Sequence, residues 1–127
     1  MQSLIKQNDY EIVQPEMPLR EAAKLMAREG IHALYVCIDQ KPIGVVTHID
    51  FVYAIAEGKN LDLVYIMEIC KKPVLAVKIE ESLENIKSAF EITRFILLPV
   101  VDEKDTLIGA ISKHELFEQM HLKDDSC

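Results

Sequence analysis

Apolar and polar positions along this chain change their spacing several times, and each change predicts a new element. Leu19, Ala22, Ala23 and Met26 fall at i, i+3, i+4 and i+7, one face of a helix. Pro18 suits the first turn of that helix and Gly30 its end. Residues 10–13 read as a short extended segment ahead of it. Behind it, residues 34–38 and 43–47 are apolar and partly β-branched, as buried strands are. They flank a turn of Asp39, Gln40, Lys41 and Pro42. A further helix is expected from near His48 to about Glu57, closed by Gly58.

The same series then starts again. Residues 73–77 form the extended segment, and Leu83, Ile86 and Phe90 mark a helix face with Ser82 as its N-cap. Residues 96–101 and 107–112 are the strands around a turn at 102–106, and a helix begins near Lys113. Leu19 matches Leu83, Ala22 Ile86, Met26 Phe90, Ile31 Phe95 and Val36 Val100, all 64 residues apart. Gly44 then matches Gly109, Thr47 Ser112 and Asp50 Glu115, 65 residues apart. The extra residue falls in the turn at 102–106, where a loop accepts it readily.

The expected architecture is therefore α+β, with the order β-α-β-β-α occurring twice. The first repeat is assigned to residues 1–68 and the second to 69–127. Units of roughly 60 residues are marginal alone, so the repeats are expected to pack as one pseudo-twofold module. The stretch 59–72 carries Leu61, Val64, Ile66, Met67 and Ile69 and no Gly, Ser or Pro run. It does not read as a flexible linker.

Composition narrows the function. Half of the 127 residues are hydrophobic, which excludes a disordered chain. The net charge of −7 speaks against a nucleic-acid polymer as partner, since such binding needs a basic face. A single nucleotide needs only a few local donors. The first ten residues lack the apolar run of a signal peptide, and the apolar stretch 95–101 is too short to span a membrane. The cysteines, Cys37, Cys70 and Cys127, are odd in number and widely spaced. They read as reduced thiols of a cytoplasmic protein, with Cys37 in the core.

The strand-to-helix junctions carry the candidate chemistry. The first reads Gly44-Val45-Val46-Thr47-His48-Ile49-Asp50, and the second Gly109-Ala110-Ile111-Ser112-Lys113-His114-Glu115. Ile66-Met67 precedes the second repeat, and Leu98-Pro99-Val100 forms a hydrophobic-Pro-Val strand. In the first repeat Tyr35 stands where that proline would be. These features, from about Leu4 to about His121, resemble a tandem pair of CBS domains, a Bateman module. The resemblance implies a non-catalytic regulatory sensor of an adenosine-containing ligand such as AMP, ADP, ATP or S-adenosylmethionine. It also implies a homodimer acting on a regulated protein partner that the sequence does not name.

By that resemblance, Thr47 and Asp50 would hold phosphate and ribose in one site, with Ser112 and Glu115 as counterparts in the other. A hydroxyl beside the free N–H groups of a helix start suits a phosphate oxygen, and a carboxylate one turn on can accept from ribose hydroxyls. The adenine slot would lie near Ile12, Val13 and the run Ile31, His32, Ala33, Leu34, and near Val77 and the run Phe95, Ile96, Leu97, Leu98. His32, His48, Arg94 or Lys113 could meet the phosphate charge, and the histidines would make that pH-sensitive. Glu115 is one methylene longer than Asp50, which moves its carboxylate by about 1.5 Å. The first site is therefore favoured.

Plainer readings stand beside these. Thr47 and Asp50 also fit a capping box, a role compatible with ligand binding. The whole chain could be a ligand-free dimerisation scaffold. His114, Glu118 and His121 share a face of the last helix, but a fourth ligand is not evident, so a solvated face is expected and no metal. No catalytic triad or Gly-rich phosphate loop is recognisable, and the chain is not expected to be an enzyme.

Overall fold

The computed structural model describes residues 4–93 and 95–125, with side chains described as far as residue 120. Arg94, the side chain of His121 and Cys127 lie outside the described residues.

Two compact units emerge, each of the expected β-α-β-β-α order. The first runs from Asn8 to Val74, and the second joins Met1–Gln7 to Leu75–Cys127. In the first, β1 (Tyr10–Val13) pairs parallel with β2 (Ala33–Ile38), which pairs antiparallel with β3 (Lys41–Val46). The helices are α1 (Leu19–Glu29) and α2 (His48–Ala56). In the second, β4 (Val77–Lys78) pairs parallel with β5 (Leu97–Val101), and β5 antiparallel with β6 (Leu107–Ser112). Its helices are α3 (Leu83–Thr93) and α4 (Lys113–Asp125).

Local chemistry accounts for most boundaries. Gly30 takes a left-handed φ of 63° and its N–H bonds the Met26 carbonyl at 2.9 Å, which stops α1. The Ser82 hydroxyl accepts the Asn85 N–H at 3.2 Å and caps α3. Asp39 and Gln40, at φ 52° and 66°, turn the first hairpin alone. The turn is thus tighter than expected, because Lys41 and Pro42 already pair with Ile38 and Cys37. In the second hairpin the Asp102 carboxylate accepts the N–H groups of Lys104 at 2.8 Å and Thr106 at 3.0 Å, and that loop houses the extra residue. The segment expected at 73–77 joins the sheet only at its end, Val77, and Pro73 has no N–H to give a ladder.

Each unit has its own core. In the first, Leu34 and Val36 of β2 meet Leu19, Ala22 and Met26 of α1 and Phe51 and Ala54 of α2. Ile66 and Cys70 complete that cluster, with Leu61, Val64, Met67 and Ile69 packed against it. In the second, Leu98 and Val100 meet Ile86, Phe90, Ile111 and Leu116, and Leu4 joins them.

The division at 68/69 expected from the sequence differs from these units at both ends. Lys6 exchanges backbone hydrogen bonds with Ala110 at 2.8 and 2.9 Å, so the N-terminal segment belongs to the second unit. Lys71 exchanges them with Val45 at 2.9 and 3.1 Å, so the segment leading into the second repeat belongs to the first. The segment that leads into each repeat is docked on the other repeat's β-strand.

Candidate functional site

The two docked segments explain the glycines of the junctions. A Cβ on Gly44 would stand 2.5 Å from the Cys70 sulfur, and one on Gly109 would stand 2.2 Å from Ile5 Cγ2 and 3.1 Å from the Lys6 carbonyl oxygen. Only a residue without a side chain lets the segment lie flat on the strand here. The backbone bridges then place Lys71 beside the first junction and Lys6 beside the second.

At the first junction Thr47 is extended, at φ −124° and ψ 178°, and α2 starts at the next residue. Thr47 and Asp50 form a capping box in which the Thr47 N–H donates to Asp50 Oδ2 at 2.8 Å. Asp50 Oδ1 accepts from the Lys71 ammonium. Asp50 is 8% exposed and the only buried charged side chain among the described residues, so it needs both partners to offset its lost hydration. His32 and His48 meet edge to face with ring centroids 6.4 Å apart, both exposed. Ala33 is buried, and Ile31 packs within the core cluster.

At the second junction the Ser112 hydroxyl accepts the Glu115 N–H at 3.0 Å and caps α4. The Glu115 carboxylate lies 3.9 Å from Lys6 Nζ, and both side chains are more than a third exposed. The Lys113 N–H donates to the Ile96 carbonyl at 2.8 Å, which ties the start of α4 to the segment before β5. The Lys113 ammonium sits 6.0 Å above the Phe117 ring. Ile96 is exposed and Leu97 buried.

The structure thus brings Thr47, Asp50, His32 and His48 to one end of the first unit, and Ser112, Lys113, Glu115 and Ile96 to the matching end of the second. The sequence reading missed Lys71 and Lys6. They are 65 residues apart, the offset of Gly44 and Gly109, and extending the repeat to them would have found both.

Other features lie apart from these junction carboxylates. A groove between α1 and α2 is lined by Ala23, Met26, Ala27, His48 and Phe51, and another by Leu75, Val77, Lys78, Asn85, Ser88 and Ile92. Neither includes Thr47, Asp50, Ser112 or Glu115. His114 and Glu118 pair at 3.5 Å on an exposed face, and among the described residues no group of three possible metal ligands gathers. Burial pushes the Cys37 thiol up to about 11. Tyr35 is fully buried with its hydroxyl unpartnered among the described residues, and burial raises its pKa strongly. Among the described residues no helix is long and apolar enough to cross a membrane.

This double junction is that of a tandem CBS pair. The CBS-domain family model matches residues 5–57 and again 66–122, and the chain belongs to that family. Inosine-5′-monophosphate dehydrogenase of Thermoplasma acidophilum is 29% identical over 118 residues, which cover 93% of this chain and 23% of that enzyme. The chain spans under a quarter of the curated relatives it first matches. Among solved structures, a CBS domain pair in complex with 5′-methylthioadenosine and S-adenosyl-L-methionine has the same fold, at a TM-score of 0.80 and 20% identity, covering 95% of this chain and 94% of that one. The structure of CBSX2 in complex with AMP matches at a TM-score of 0.76 and 20% identity, over 96% of each chain.

Proposed function

We propose that this chain is a regulatory sensor that binds an adenosine-containing ligand at its strand-to-helix junctions. The observation that carries this reading is the first junction: a hydroxyl at a helix start with a buried carboxylate in the first turn. In this reading Thr47 and the start of α2 hold phosphate, Asp50 takes the ribose hydroxyls, and His32 and His48 add donors. Ser112, Lys113 and Glu115 form the second, weaker site, with Ile96 and Leu97 near its adenine. The adenosyl complexes of these two similar structures support the ligand class.

The ligand acts by favouring one of two arrangements, to the extent that it binds them differently. The chain works without catalysis or metal, as a cytoplasmic homodimer that passes its state to a protein partner. The enzymes among its relatives are matched over only 23% of their length, which supports a regulatory module over a catalytic one.

A thermal-shift panel of AMP, ADP, ATP, NAD and S-adenosylmethionine tests this. At a hundredfold excess over Kd the binding ligand should add about 2.7 kcal/mol of stability, and Asp50→Ala should abolish the shift. No shift with any of them at millimolar concentration would instead favour a ligand-free dimerisation scaffold. One observation supports that second reading: the Asp50 carboxylate is already engaged by Thr47 and Lys71.

A further inference from the structure

We infer that Lys71 is a specificity-determining residue of the first junction, a fixed cation that selects nucleoside phosphates over uncharged and cationic adenosyl compounds. This rests on the ligand reading above and names the ligand class within it.

The position of Lys71 is set by backbone. Its N–H and carbonyl both bond Val45, two residues before Thr47, and Gly44 leaves room for the segment to lie close. Its side chain reaches the Asp50 carboxylate, yet remains 38% exposed where Asp50 is only 9% exposed. An ammonium has three donors. One is used on Asp50, and the side chain keeps more than a third of its surface exposed. A ligand that reaches Asp50 therefore meets a buried carboxylate paired with the ammonium of a partly exposed lysine.

That pair sorts ligands by charge. A diol can donate to the remaining lone pairs of Asp50 without displacing Lys71. A phosphate on the same ligand gains a charge-assisted hydrogen bond from the ammonium, worth about tenfold in affinity or more. An uncharged nucleoside gains nothing from it. A sulfonium meets like charge, which disfavours binding. The second junction offers a weaker version, because Lys6 is 3.9 Å from Glu115 and that carboxylate, unlike Asp50, is more than a third exposed.

Isothermal titration of AMP, adenosine and S-adenosylmethionine tests the assignment. The readout is the ratio of affinities within each protein. The intact protein should bind AMP at least about tenfold tighter than adenosine, and S-adenosylmethionine more weakly than AMP. Lys71→Gln should bring the AMP-to-adenosine ratio close to one and leave adenosine affinity nearly unchanged, whereas Lys71→Arg should keep the preference. Because Lys71→Gln leaves Asp50 without its cation, a urea melt first establishes that the variant is folded, and the ratio is then compared with that of Lys71→Arg. A ratio unaltered by Lys71→Gln, or equal losses for AMP and adenosine, overturns the role of Lys71 alone. Binding of all three at similar strength by the intact protein overturns it too. Failure of the intact protein to bind any of them overturns the ligand reading and this inference together.

Discussion

At the first junction Asp50 is buried, takes the Thr47 N–H and pairs with Lys71. At the second, Glu115 is partly exposed and lies 3.9 Å from Lys6, and Ser112 supplies the cap with its hydroxyl. The backbone frame is the same in both: a glycine under a docked segment, a lysine held by two hydrogen bonds, a hydroxyl residue at the helix start. What differs is one methylene and the depth of the carboxylate. A longer acid can reach water, and a hydrated charge neither needs nor strongly holds a partner. A shorter one is trapped and must be matched. The two junctions therefore share a scaffold and differ in their electrostatics.

The largest expected effect probes the shared frame. Gly109→Ala and Gly44→Ala each push a Cβ into a docked segment and should cost about 1–3 kcal/mol in urea unfolding. Gly109→Ala should cost more, since its Cβ meets Ile5 at 2.2 Å and the Lys6 backbone at 3.1 Å. Equal, negligible costs would mean the segments are not held against the strands.

The next effect should separate the junctions. Lys71→Gln strands a buried carboxylate and should cost about 1–2 kcal/mol, a figure reduced because Lys71 itself is partly solvated. Lys6→Gln should cost under about 0.5 kcal/mol, as exposed pairs do. Matching losses in chemical denaturation would mean that the two ion pairs do not differ in strength.

A smaller effect concerns the strands. Tyr35 stands where the second repeat has Pro99, and its buried hydroxyl lacks a partner among the described residues. Tyr35→Phe should leave stability unchanged or raise it by up to about 1 kcal/mol. A clear loss would show that the hydroxyl is in fact bonded.

The smallest effect at neutral pH comes from Cys37. Burial raises its thiol to about 11 from an ordinary value of 9.0. Below pH 9 both folded and unfolded thiols hold their protons, and stability is complete. Between 9 and 11 the unfolded thiol ionises first and stability falls as pH rises. Urea melts of the protein and of Cys37→Ser at pH 8 and pH 10 should show a steeper alkaline loss in the parent chain.

The order of elements and the existence of paired junctions were legible in the chain itself. Helix spacing at Leu19, Ala22 and Met26, the Gly30 stop and the Ser82 cap are local signals, each acting within a few residues. The hairpin turn at Asp39 was read too long because a two-residue turn depends on backbone angles that composition only suggests. Among the candidate adenine-slot residues Ile31 and Ala33 are buried while Ile12 and Ile96 are exposed, a division that an apolar run does not announce.

By itself, then, the sequence determined two β-α-β-β-α repeats and the residue types at each strand-to-helix junction, because periodicity and capping are short-range. The tertiary structure alone decided that Lys6 docks beside Ala110 and Lys71 beside Val45. It also decided that Asp50 is buried against a lysine while Glu115 is not. Those outcomes depend on long-range strand pairing and on solvent exclusion, which no local pattern of apolar and polar positions encodes.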